Sequence, residues 1–300
     1  MSEIKSAERG LLLLHTMDGK LVVVGRPNLI TRFARFLKRP FGSAWQHRDL
    51  IAAILQRELY ERFKGSAAGW VWAIVAPLIS LLTYTVAFAG GAKLPNGEVA
   101  SSSFDYALFI FGGLVAFNFF AEMAYRAPSL LQEYAHFIKQ TMFPAEMLPI
   151  ISTLRAGVYT SIGVALMLAF QAVLSVPHWT MLLLPLWVLP FFAFMVGMTW
   201  FLSALGAFTR DVSYFMLTVA PLMMFATPVF FANETLPPPM NLLIYLNILA
   251  GYIEIMRDLV VWGRLPGIWV CVWTIFLSAL TFWGGFWFFE RNRVNIADVV

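Results

Sequence analysis

Charge is what this chain lacks. Between Arg155 and Arg210 there is no Asp, Glu, Lys or Arg, and the one evident break in that stretch is Ser175-Val176-Pro177-His178. The break separates two apolar segments of about 20 or more residues, each long enough to cross a hydrocarbon core of about 30 Å as a helix. Across the chain only 13% of residues are charged, against 60% hydrophobic. A soluble domain has nowhere to hide that much uncharged surface, so the chain is expected to be an all-α integral membrane protein.

Other shortages narrow its chemistry. The single cysteine, Cys271, lies in an apolar run and excludes an internal disulfide. No Gly-x-x-x-x-Gly-Lys-Ser/Thr run is present, so the chain does not bind ATP phosphates through a P-loop. His15, His47, His136 and His178 are scattered, without cysteines or carboxylates at metal-ligand spacing, and no metal site is expected. Leu11–Leu14 is too short for a secretory signal core. Asn233-Glu234-Thr235 fits a glycosylation sequon, a match too common to carry weight.

The charge that remains is unevenly placed. Residues 1–66 hold 12 Lys/Arg and 6 Asp/Glu, and the rest hold 9 and 11. This basic end suits a cytoplasmic face against anionic lipid or an anionic substrate group; no nucleic-acid motif accompanies it.

Within residues 1–46, apolar runs flanking Asp18-Gly19 predict a small cytoplasmic β-hairpin, because a type I′ turn needs positive φ at both central residues. Asn28–Arg39 reads as a basic amphipathic helix that stops before Pro40. Residues 47–66 form a second amphipathic segment. Leu50, Ile51, Ile54, Leu55, Leu59 and Phe63 recur at helical spacing, while Arg57, Glu58, Glu61, Arg62 and Lys64 cover the other face. Residues 67–290 hold six expected spans, at about 69–90, 105–126, 147–175, 179–207, 212–232 and 266–289. Residues 235–253 are uncharged but begin at Pro237-Pro238-Pro239 and are interrupted by Asn241, Asn247 and Gly251. They read as an external re-entrant hairpin between the fifth and sixth spans. Six spans leave both termini, including the tail at 291–300, in the cytoplasm, where most basic residues then lie.

Aromatics are abundant: 28 Phe, 11 Trp and 9 Tyr. Interfacial belts account for many, but Trp70, Trp72, Tyr84, Phe215 and Phe225 are candidates to line a channel in which aromatic faces meet sugar C–H faces. Arg155, the one basic residue placed within an apolar span, needs a partner, a cavity or a route to the interface. Arg57, Arg62 and Lys64 lie where the surface helix meets the first span, where cations can grip phosphate oxygens of a lipid headgroup or serve simply as positive-inside anchors.

Several pieces then fall into a familiar order. Arg48-Asp49-Leu50, Arg62-Phe63-Lys64-Gly65-Ser66, Gly69, Trp72 and Pro77 precede or open the first span. His136-Phe137-Ile138-Lys139-Gln140-Thr141-Met142-Phe143-Pro144-Ala145-Glu146 follows the second. Thr209-Arg210-Asp211 precedes the fifth, with Pro228 near its end; Asn247, Gly251, Arg257 and the tail Ala297-Asp298-Val299-Val300 follow. From about residue 46 onward this order resembles the permease subunit of ABC exporters for polysaccharides, the O-antigen, capsule and teichoic-acid group. The hairpin and basic helix before residue 46 have no counterpart in it.

The resemblance implies a homodimeric channel without enzymatic activity in the bacterial inner membrane. Two copies of a separate ATPase would dock beneath it and carry ATP and Mg; this chain would bind no cofactor. His136, Phe137, Lys139, Met142, Phe143 and Pro144 would couple to that ATPase, and the cargo would be a lipid-linked glycan drawn from among the membrane lipids. A permease for drugs or small lipids shares the six-span plan. A membrane-bound lipid-linked sugar transferase would instead gather carboxylates at one interface, with Glu122, Glu133, Glu146 and Asp211 as candidates.

Overall fold

A computed structural model describes residues 11–15, 21–25, 29–87, 103–140, 144–174, 177–231 and 247–299. The chain divides into two compact units, Met1–Arg48 and Asp49–Val300. In the first, strands β1 (Leu11–His15) and β2 (Leu21–Gly25) pair antiparallel, with Leu13 opposite Val23. The Asp18-Gly19 turn lies outside the described residues. Helix α1 (Leu29–Gln46) does not stop before Pro40, as expected, but runs through it. A proline removes only the one hydrogen bond its own nitrogen would donate, and the helix continues through it.

Among its described residues the second unit holds helices joined by turns, and no strand. Helix α2 (Arg48–Glu61) leads through a 3-10 turn at Gly69–Val71 into α3 (Trp72–Ala87). Helix α4 (Ser103–Arg126) is followed by two short helices, α5 (Leu130–Glu133) and α6 (Ala135–Gln140). Then come α7 (Met147–Leu174), α8 (Leu184–Phe208), α9 (Asp211–Ala226), α10 (Ile248–Val260) and α11 (Ile268–Val299).

By length and composition five stretches can cross a membrane: Gly69–Ala87, Tyr106–Glu133, Met147–Val173, Trp179–Phe208 and Ile268–Ile296. The fifth span of the sequence reading corresponds to α9, apolar but only 16 residues long. Residues 232–246, which include the triple proline of the expected re-entrant hairpin, lie outside the described residues. Helix α11 continues to Val299, so residues 291–299 extend the last helix.

Helix α4 is apolar on every side over its middle, as a helix surrounded by neighbours or by lipid can be. From Ala107 to Phe117 every residue on it is buried, against α3, α7, α9 and α10. The most extensive helix pair is α8 with α11. Gly197 and Gly285 make it possible: a Cβ on Gly197 would collide with the backbone of Thr281 and Phe282, and one on Gly285 with the Gly197 carbonyl. Small residues at such a crossing let two backbones touch, which in lipid is the main route to close helix packing. Trp200 fills the space beside this crossing, against Phe282 and Phe286, and its indole N–H donates to the Glu146 carbonyl at 3.0 Å.

Helix α10 is pinned to α4 by one side chain. Arg257, buried, donates from Nε to the Phe109 carbonyl (3.1 Å), from Nη1 to that of Phe231 (3.2 Å) and from Nη2 to that of Val229 (2.6 Å). Its guanidinium lies 3.5 Å from the centroid of the Phe109 ring. These carbonyls follow α9 or sit within α4, so the cation clasps three segments. Asn247 opens α10 by accepting from the Leu249 N–H at 3.1 Å and donating to Thr227 Oγ1 at 2.8 Å.

Candidate functional site

The approach to the first span is shaped by glycine. Helix α2 ends at Glu61, and the chain turns through Gly65 at φ 84° and Gly69 at φ 52°, values that side chains with a Cβ rarely adopt. Arg62 and Lys64 therefore sit in the turn, beyond the last residue of the helix. Phe63, Trp70 and Tyr159 close over that turn as a triad with ring centroids 5.6–6.0 Å apart. Arg62 lies 4.0 Å from the Tyr159 ring centroid, and its Nη1 donates to Glu122 Oε1 at 2.8 Å. Lys64 is exposed, with no polar side-chain partner among the described residues.

Beside it lies a buried knot of ion pairs. Ile51 and Glu58, seven residues apart, are the buried residues of α2, and Glu58 is only 5% exposed. Its Oε2 lies 3.3 Å from Arg126 Nη2, at the end of α4, and 3.4 Å from Arg155 Nε, in α7. Its Oε1 accepts from the Tyr134 hydroxyl, one residue before α6. Burial first, and then the Glu58 carboxylate on its hydroxyl, push Tyr134 up to about 12, so it remains a donor at physiological pH. Arg155 also donates from Nη2 to Glu122 Oε1 at 2.9 Å, and Arg126 lies 3.7 Å from Glu133. A cation at that depth requires partners, and here α7 has two carboxylates within reach. One carboxylate from the surface helix thus meets α4, α7 and the lead-in to α6.

A cavity of about 400 Å³ opens over this knot, lined by Arg57, Arg62, Arg126, Arg155, Tyr134 and Phe137 among others. Two groups of residues that the sequence placed in separate roles meet here: Arg57 lies 5.5 Å from the centroid of the Phe137 ring, on α6. His136 packs edge-on to Phe137 at 6.1 Å, and His136 and Lys139 are exposed. Pro144 is buried, while Met142 and Phe143 lie outside the described residues. Of the aromatics proposed for a channel, Trp70 belongs to the triad at the turn. Trp72, Phe215 and Phe225 are exposed on α3 and α9. Tyr84 is half-buried; it and Phe225 both lean on Phe230, at 6.3 and 6.2 Å. Phe230 thus joins Tyr84 to Phe225 as a third ring.

Glu58, Arg126 and Tyr134 were not singled out from the sequence. Glu58 carried a readable signal: it falls on the stripe of Ile51 and Leu55, seven and three residues before it, where a carboxylate has no reason to be unless something meets it.

Comparison with known proteins adds to this geometry. Residues 49–261 match the family model described as ABC-2 type transporter. The O-antigen export system permease protein RfbA of Myxococcus xanthus is 25% identical over 262 residues, covering 85% of this chain and 97% of the relative. A protein of the same name from Klebsiella pneumoniae is 27% identical over 262 residues, covering 84% and 95%. A second from Klebsiella pneumoniae is 27% identical over 224 residues, covering 72% and 82%. The matched region takes in the surface helix, the ion-pair knot and α3 through α10, and the chain is a member of the ABC-2 type transporter family, a membrane transport subunit of ABC transporters.

Proposed function

We propose that two copies of this chain form the channel of an ATP-driven exporter that carries a lipid-linked, O-antigen-like polysaccharide across the inner membrane. ATP and Mg are held by two copies of a partner ATPase. The relatives' names support the cargo. Six crossings, counting the short α9, a re-entrant segment ending in α10 and both termini in the cytoplasm complete the reading, with the β1–β2 pair on the cytoplasmic side.

The observation that carries the mechanism is the Glu58 contact with Tyr134. It ties the helix that faces the lipid headgroups to the lead-in of the helix suited to a groove in the ATPase. Movement of α6 on nucleotide closure is passed through Tyr134 and Glu58 to α2, and so to the turn that bears Arg62 and Lys64. Those two cations, with Arg57 nearby, engage the phosphate or pyrophosphate of the anchor. The exposed aromatics of α3 and α9 face the glycan path.

The test is polymer export by the Arg62→Ala/Lys64→Ala double variant. Export falls well below wild type while the complex with the ATPase still assembles. Export at the wild-type rate would rule out the headgroup role. Separately, co-purification of the ATPase is lost on changing Phe143 and Pro144 if that segment docks it.

A further inference from the structure

We propose that Glu122 is an internal stand-in for the phosphate of the cargo: Arg62 rests on this carboxylate and leaves it when a lipid-linked phosphate or pyrophosphate arrives. The inference rests on the headgroup role of Arg62 proposed above. It adds the residue that sets how tightly the headgroup is held.

The first observation is that one oxygen serves two cations. Glu122 Oε1 accepts from Arg62 Nη1 at 2.8 Å and from Arg155 Nη2 at 2.9 Å. Loss of Arg62 therefore leaves the carboxylate still paired. The two arginines differ in freedom. The Arg155 side chain is 13% exposed and is also held by Glu58, whereas that of Arg62 is 38% exposed and springs from the turn after α2. Arg155 with Glu122 is the fixed dock, and Arg62 is the arm that can leave it.

The second observation is the unused capacity of Arg62. A guanidinium has five N–H donors in a planar fork. Among the described residues Nη1 has an acceptor in Glu122, while Nε and Nη2 have none. Tyr159 lies under the guanidinium plane, so the fork is held by stacking while its donors stay available to a two-oxygen anion.

The third observation is the charge count. Arg62, Arg126 and Arg155 face Glu58, Glu122 and Glu133, three cations against three anions. An anion binds such a neutral knot strongly only by displacing a carboxylate. Glu58 is buried and held from three sides, so its displacement orphans a buried charge. Glu133 is more exposed, but it lies 3.7 Å from Arg126 and its displacement frees no donor of Arg62; at Arg62 the contact that can exchange is the shared one at Glu122.

The test is binding of a radiolabelled polyprenyl pyrophosphate to the full chain in phosphatidylcholine nanodiscs. Glu122→Gln keeps an oxygen for Arg155 but removes the charge that holds Arg62. Glu122→Asp keeps the charge but withdraws it by one methylene. Both tighten binding, by up to about five-fold, the range of a partly exposed ion pair. In an Arg62→Ala background Glu122→Gln brings no gain. Unchanged affinity in both Glu122 variants, with Arg62→Ala weakened, overturns the inference and leaves the headgroup role standing. An equal gain with and without Arg62 also overturns it, since the carboxylate would then act only through the general field. Wild-type binding by Arg62→Ala removes the headgroup role itself. Displacement of the probe by equimolar phosphatidylglycerol assigns Arg62 to bulk anionic lipid and overturns the cargo assignment.

Discussion

Helices α3 and α4 are neighbours in sequence and in space, and their apolar windows have the same mean hydropathy. Yet 83% of the α4 window is buried inside the chain, against 11% of the window that includes α3. Hydropathy reports that both belong in a bilayer. It cannot report which is wrapped by its own chain and which presents Ile79, Leu82 and Val86 outward. Helix α9 sides with α3, exposing Tyr214, Phe215, Leu222 and Phe225. In lipid an apolar surface carries no penalty for facing outward, so burial is decided by packing partners rather than by dislike of the solvent. The same contrast holds among charges. Glu58 and Arg57 are adjacent on α2, one 5% exposed and tied to three groups, the other half-exposed beside Glu61 at 3.6 Å.

Substitutions sharpen the contrast, beginning with the largest effects. Glu58→Ala strands Arg126 and Arg155 and is expected to cost about 3–5 kcal/mol, seen as loss of folded yield in detergent. Glu58→Gln, which keeps an oxygen for Tyr134, recovers part of it. Phe109→Ala in α4 removes a buried ring and the platform under Arg257, at about 3–5 kcal/mol; the measurement is the thermal midpoint of the purified chain. Tyr134→Phe loses a hydrogen bond to a carboxylate, about 1.5–3 kcal/mol. Its phenol is raised to about 12 when folded, against an unfolded value of 10.0, so its contribution is complete below pH 10 and is lost as pH rises toward 12. Alkaline unfolding of the wild type should show that component, and Tyr134→Phe should lack it. Leu82→Ala on α3 should stay within about 0.5 kcal/mol for the isolated chain. A loss as large as that of Phe109→Ala would mean that α3 is covered in the purified protein, breaking the comparison. Smallest is Arg57→Lys, which keeps a cation for Glu61 and for the Phe137 ring, within about 0.5 kcal/mol.

How far the sequence leads depends on the kind of signal. Long uncharged runs gave α7 and α8 to within a few residues, because membrane thickness sets their length. Pro40 does not end α1, since a proline removes only its own hydrogen bond from the helix. At the site, the lone Arg155 is legible in the sequence, because a cation within an apolar span is costly without partners. Glu58 was read as part of a solvated polar face along with Arg57 and Glu61. Periodicity marks which residues share a face but not what meets that face, and the arginines that meet Glu58 come from residues 126 and 155, far along the chain. In the sequence Glu122 reads only as a possible acid of a rival enzyme; that it pairs with two arginines at once is a tertiary fact.

The crossing of Gly197 and Gly285 carries a last consequence. With two main chains in direct contact over a wide seam, α8 and α11 cannot slide or rotate past one another without first coming apart. They behave as a single strut. If the channel proposed above has to widen for a sugar chain, that movement falls to another wall, and α3 and α9, whose apolar faces are exposed, are the candidates.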